Sequence, residues 1–111
     1  MADAADYEVL WAEQAVRDLE SLVAFAAQEA PLNARRLLKR LKERADSLCR
    51  LPDRGRVVPE LARFGIVAVR ELVVPPYRVI YRVDQKTVMV LALFDGRRDV
   101  SDVLFDRLLR T

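Results

Sequence analysis

Pro75-Pro76-Tyr77-Arg78-Val79-Ile80-Tyr81-Arg82-Val83, then Asp84-Gln85-Lys86, then Thr87-Val88-Met89-Val90-Leu91-Ala92-Leu93-Phe94, is the stretch on which the fold turns. Both long runs are apolar, aromatic and β-branched, and the short polar link between them predicts a β-hairpin. Alternation puts Tyr77, Val79, Tyr81 and Val83 on one face of the first strand and Arg78, Ile80 and Arg82 on the other. The preceding run 66–74 also reads as a strand, ended by the two prolines. Ile66, Ala68, Arg70, Leu72 and Val74 share one of its faces, and Val67, Val69, Glu71 and Val73 the other. Both faces are largely apolar, which predicts a central position. Consecutive strands with short links pair antiparallel, so a three-stranded antiparallel sheet is expected.

Upstream the period changes. Ala12, Ala15, Val16, Leu19, Leu22, Val23 and Ala26 recur at steps of three and four, as on one face of an amphipathic helix. Pro31 disfavours helical geometry in the residue before it, which ends this helix near Ala30, and itself suits the first turn of a second. Ala34, Leu37, Leu38, Leu41, Ala45 and Leu48 form the second helix's apolar stripe, closed by Leu51-Pro52 and the turn Asp53-Arg54-Gly55. The short link predicts an antiparallel helical hairpin packed against the sheet. Tyr7, Val9 and Trp11 alternate with Glu8 and Leu10 as in a short first strand. Val100, Val103, Leu104 and Leu108 have helical spacing after Asp99, a candidate N-cap. The expected fold is therefore α+β: N-terminal strand, α-helical hairpin, three-stranded antiparallel sheet and short C-terminal helix, with the helices on one side of the sheet.

The length of 111 residues suits a single domain spanning 1–111, and 52% hydrophobic content suffices for one core. No apolar run reaches the length of a membrane span, and Met1-Ala2-Asp3-Ala4-Ala5-Asp6 lacks the pattern of a signal peptide, so a cytoplasmic protein is expected. A single cysteine, Cys49, and no histidine leave no internal disulfide and no zinc set, so no metal and no cofactor are expected. Without a histidine to activate it, Cys49 reads as a small hydrophobe. The net charge is only +2, yet sixteen of the nineteen basic residues are arginine. From Arg35 to Arg56 nine basic residues face three acids. That band suits an acidic protein partner or a nucleic-acid backbone, and equally a solvated helix face.

Four segments in this order resemble toxins of the RelE/ParE superfamily of type II toxin–antitoxin pairs. They are Gly55-Arg56-Val57-Val58-Pro59-Glu60-Leu61, Arg70-Glu71-Leu72-Val73-Val74, Tyr77-Arg78-Val79-Ile80-Tyr81-Arg82-Val83 and Gly96-Arg97-Arg98-Asp99. The resemblance covers nearly the whole chain. It implies a cognate antitoxin partner that wraps a disordered, often acidic segment around the helical hairpin and sheet, for which Arg36, Arg40, Arg44, Tyr77 and Tyr81 are the candidate contacts.

For the target, the resemblance implies two branches. In the messenger-cutting branch Arg78 matches a phosphate-stabilising arginine and Glu60 a carboxylate base, with Arg82 and Arg70 as added charge. Against that branch, the chain lacks the histidine that many of its members carry before Arg97-Arg98-Asp99. Tyr77 and Tyr81, as substitutes, fall on the face opposite Arg78. The ParE branch, which poisons DNA gyrase, keeps the arginine strand and Gly-Arg-Arg-Asp without the nuclease set, and the chain looks more like it. Arg97, Arg98, Arg107 and Arg110 are then the candidate gyrase surface. From the residues alone, Arg78 and Arg82 read equally as cross-strand partners of Glu71, Glu60 or Asp84, and a non-toxic binding module with this fold is a third reading.

Overall fold

A computed structural model describes residues 6–97 and 101–110. The elements run β1 (Glu8–Trp11), α1 (Glu13–Ala27), α2 (Pro31–Asp46), β2 (Arg56–Val57), α3 (Pro59–Ala62), β3 (Val69–Val74), β4 (Tyr77–Asp84), β5 (Thr87–Asp95) and α4 (Ser101–Arg110). The α+β class, the helical hairpin and the terminal helix follow the sequence pattern. The three-stranded sheet does not: five strands join in the order β1-β5-β4-β3-β2. The hairpin β4–β5 and the pair β3–β4 are antiparallel as expected, and β1 adds to β5 in parallel, Glu8 facing Thr87 and Trp11 facing Val90. On the other side β2 adds antiparallel to β3, Arg56 facing Glu71. A two-residue strand carries no visible alternation, which is why β2 is missing from the sheet expected from sequence.

The helices are not all on one side of the sheet. Ala15 and Leu19 of α1 and Leu41 and Ala45 of α2 bury against Leu72, Val74, Val79, Tyr81, Val88, Val90 and Leu93. A second core lies on the opposite face, where Leu104 of α4 meets Ile80, Leu91, Ala92 and Phe94, with Val58, Leu61 and Val69 beside them. The terminal helix has its own apolar stripe, and the hairpin already covers the first face, so the second face is where burial remains to be gained. Strand β3 is correspondingly apolar on both faces, with Leu72 in one core and Val69 in the other.

Pro31 occupies the first turn of α2, as its missing N–H allows. Pro59 does the same for α3, the single helical turn that carries Glu60. Among the described residues no helix is long and apolar enough to cross a membrane.

Candidate functional site

The most unusual feature of the interior is a row of alternating charges across three strands and a helical turn. Alternation on β4 sends Arg78 to the face opposite Tyr81, where Gly96 passes close enough that a Cβ there would stand 3.1 Å from the Arg78 Cγ. On the neighbouring β3, Glu71 points the same way. The Arg78 Nε donates to Glu71 Oε1 at 2.6 Å, and Nη1 and Nη2 donate to the two Glu60 oxygens at 2.7 Å each. Glu71 Oε2 accepts from Arg56 Nε on β2, also at 2.6 Å. The side chains of Arg78 and Glu71 are 7% and 0% exposed, so the centre of the row is interior while Arg56 at its end reaches the surface, and every charge in it has an opposite partner.

The electrostatics follow from the geometry. The bidentate hydrogen bond from Arg78 holds the Glu60 carboxyl below its ordinary range, overcoming the upward push of burial. Reciprocally, the Glu60 carboxylate raises the Arg78 guanidinium further above its own ordinary range. Proton abstraction from a hydroxyl requires a carboxylate whose affinity for protons is increased, and Glu60 is displaced the other way. A phosphate approaching Arg78 would meet a guanidinium with three of its N–H groups already engaged by carboxylates.

The remaining cations of the candidate set are not assembled with Arg78. Arg70 projects to the opposite face, beside Tyr81, and its Nη1 donates to the Gly55 carbonyl at 2.8 Å. Arg82 shares the Arg78 face, is half-buried and makes no ion pair among the described residues. Arg97 is exposed and forks onto Asp95, whose backbone-capping carboxylate also accepts the Arg97 N–H at 3.0 Å. The guanidinium's own hydrogen bonds to the Asp95 carboxylate raise its proton affinity. Arg98, the candidate cap Asp99 and the side chain of Arg110 lie outside the described residues.

Two sequence-based assignments are corrected by placement. Arg107, expected on a target-facing surface, turns inward: Nη1 and Nη2 grip the Asp18 carboxylate at 2.9 and 2.8 Å, and the guanidinium lies over the Phe94 ring. The amphipathic helix carries its basic residue at the packing edge, where it meets the acid from α1. Tyr81, expected to touch an antitoxin, is fully buried in the first core. Its hydroxyl donates to the Pro52 carbonyl and accepts the Gly55 N–H at 3.0 Å. Burial pushes that phenol upward. Tyr77 is half-buried against the same core.

Arg36 and Arg44 are exposed on the outer face of α2, while Arg40 reaches across to the Pro75 carbonyl at 2.7 Å. Beside them an apolar groove of about 500 Å³ runs between α1 and α2, lined by Trp11, Val16, Leu19 and Leu38 with Glu20 and Lys42 at its rim. Sequence reasoning did not single out Arg56 or Asp18. Asp18 carries no local signal, because its partner Arg107 is 89 positions away. Among the described residues no three potential metal-ligating acids, cysteines or histidines converge.

A curated relative, Toxin RelE2 of Caulobacter vibrioides, is 37% identical over 92 residues, 82% of this chain and 97% of that protein. Among solved structures, the RelBE2 toxin–antitoxin complex of Mycobacterium tuberculosis matches with a TM-score of 0.60 at 26% identity, over 84% of this chain and 94% of that one. The chromosomal ParDE system of P. aeruginosa matches with a TM-score of 0.69 over 83% of this chain and 98% of that one; at 19% identity the likeness is one of fold. With the family described as "ParE toxin of type II toxin-antitoxin system, parDE" matching residues 9–100, the chain belongs to the ParE toxin family.

Proposed function

We propose that this toxin acts as a ParE-like inhibitor of DNA gyrase and is neutralised by a cognate antitoxin. The observation that carries the reading is the mutual neutralisation of Arg78, Glu60 and Glu71: the strand arginine and the carboxylate that a nuclease would use are tied to each other, with Glu71 as the arginine's second partner. The chain then works by binding, and Arg97, at the end of β5, is the described residue that supports a target-facing surface there. Its side chain is 76% exposed.

The test is a supercoiling and cleavage assay with purified gyrase, run beside a translating extract in which messenger integrity is followed. The expected result is inhibited supercoiling or trapped cleaved DNA with intact messenger. Cut messenger with unaffected gyrase would overturn the reading. A ribosome-dependent endoribonuclease is the second reading; the RelE2 name of the relative and the exposed Arg56 beside the network favour it. A protein that leaves both targets and cell growth untouched would instead be a binding module.

For the antitoxin, the groove between α1 and α2 and the exposed cations Arg36 and Arg44 support an amphipathic acidic segment as the bound element. Arg36→Glu with Arg44→Glu is expected to weaken the toxin–antitoxin complex about tenfold at low salt, and less at high salt. Titration calorimetry at two ionic strengths measures it. Unchanged affinity would remove the basic face of α2 from the interface.

A further inference from the structure

Strand β5 is paired with a strand on its β1 side for only half its length. β1 pairs with Thr87 to Val90, and the last backbone bond of that ladder runs from the Ala12 N–H to the Val90 carbonyl at 2.9 Å. The chain then leaves the sheet as α1. Beyond Val90 the outward-facing groups of β5 have no strand beside them among the described residues, and the run Val88-Met89-Val90-Leu91-Ala92-Leu93-Phe94 is uncharged and free of proline and glycine. An apolar edge of this composition is a template for pairing with another chain.

Two side chains stand where the missing strand would be. The Leu93 N–H donates to Asp18 Oδ2 at 3.1 Å, and Arg107 Nη1 donates to the Leu91 carbonyl at 3.4 Å. The β4–β5 register has a bulge at this point, Ala92 facing Ile80 and Val90 facing Tyr81, so Leu91 is the extra residue beside these two side chains. The Asp18 carboxylate and the Arg107 guanidinium, locked to each other, serve as acceptor and donor in place of a strand's carbonyl and N–H. The pair is 11% and 20% exposed, so its hydrogen bonds compete little with water.

We infer that Asp18 and Arg107 form a side-chain plug that closes the edge of β5 against pairing with a second copy of this chain. A second copy is the fitting occupant because the edge is self-complementary. It presents one acceptor at Leu91 and one donor at Leu93, so a two-fold-related strand running antiparallel offers each its partner. The apolar run would then continue across the junction. The plug also makes the seating of α4 and the closing of the edge one event, since the same guanidinium does both.

The test uses the purified full chain, with amide exchange at Leu93 and in α4, and molar mass by light scattering. Asp18→Ala is expected to speed exchange at Leu93 about tenfold or more, the loss of a hydrogen bond to a charged acceptor, and to convert monomer to dimer or larger species. Asp18→Asn keeps an acceptor oxygen and is expected to stay monomeric with Leu93 still slow. The exchanged pair Asp18→Arg with Arg107→Asp restores the ion pair but turns a donor towards the Leu93 N–H. It is expected to protect α4 while leaving Leu93 fast and the chain associated. If the exchanged pair restores both Leu93 protection and the monomer, or if Asp18→Ala remains monomeric, the two residues only staple α4 and the plug is overturned.

Discussion

Replacing Arg78 by alanine is expected to lower the free energy of unfolding by about 3–5 kcal/mol, the cost of leaving buried charge without its partner. Glu71 has no exposure of its own and would keep only Arg56, on one oxygen; Glu60 would lose both of its hydrogen bonds to the guanidinium. Removing the whole network by Glu60→Gln and Glu71→Gln with Arg78→Met is expected to cost clearly less than Arg78→Ala alone, because no ionised group is stranded. Urea denaturation at pH 7 measures both. A loss below 1 kcal/mol for Arg78→Ala would mean that water reaches the network in solution. The same geometry sets a pH dependence. Glu60 has a lower affinity for protons folded than unfolded, so its contribution is complete above the ordinary carboxylate value of 4.5 and disappears as pH falls through the lower folded value. Stability should therefore be flat near neutrality and drop on acidification below about pH 4.5, with a shallower drop in the triple variant. An activity assay of Arg78→Ala must be read against this: lost toxicity in a variant that unfolds says nothing about chemistry.

Gly55→Ala is the second large effect expected, about 3 kcal/mol, towards the upper end of the cost of overpacking. A Cβ at this position would collide with the Tyr81 hydroxyl and stand 2.7 Å from the Glu71 carbonyl, inside any real contact distance. The Glu71 carbonyl belongs to the β3 backbone and cannot swing aside. Tyr81→Phe removes the nearest atom, at its own cost of about 1–3 kcal/mol for unpairing the Pro52 carbonyl and the Gly55 N–H. The double variant is expected to be less unstable than the sum of the two single ones. Strict additivity in thermal denaturation would show that the backbone contact alone sets the penalty.

The parts of the fold that declared themselves in sequence are those with a period. The stripes of α1 and α2, the Tyr-Arg alternation of β4 and the apolar run of β5 each repeat often enough to be read; Ala15, Leu19, Leu41 and Ala45 bury as their stripes predict, while Val16 and Leu38 of the same stripes stay exposed. What escaped is short or distant. β2 is two residues long and α3 four, yet together they deliver Arg56 and Glu60 to the charge network. The parallel pairing of β1 depends on a strand at the far end of the chain, and the side of the sheet taken by α4 depends on which face the hairpin leaves bare. At the site, alternation correctly separated Arg78 from Tyr77 and Tyr81, and Glu71 and Glu60 stood among its possible partners. How deeply that pairing is buried is something no single residue in the sequence carries. Tyr81 and Arg107 were misread for the same reason: an amphipathic side chain has one pattern in sequence whether its polar end meets water or an interior partner.

The order of the sheet also bears on how this toxin comes into being. Among the described strands β1 is made before the others, and its partner β5 is made after them. A nascent chain halted before Asp95 therefore has a helical hairpin but an unfinished sheet, and one halted before Arg107 cannot fasten Asp18. Contacts spanning most of a chain form slowly. The interval between synthesis and harm is thus written into the strand order, and a neutralising partner already present has that interval in which to act.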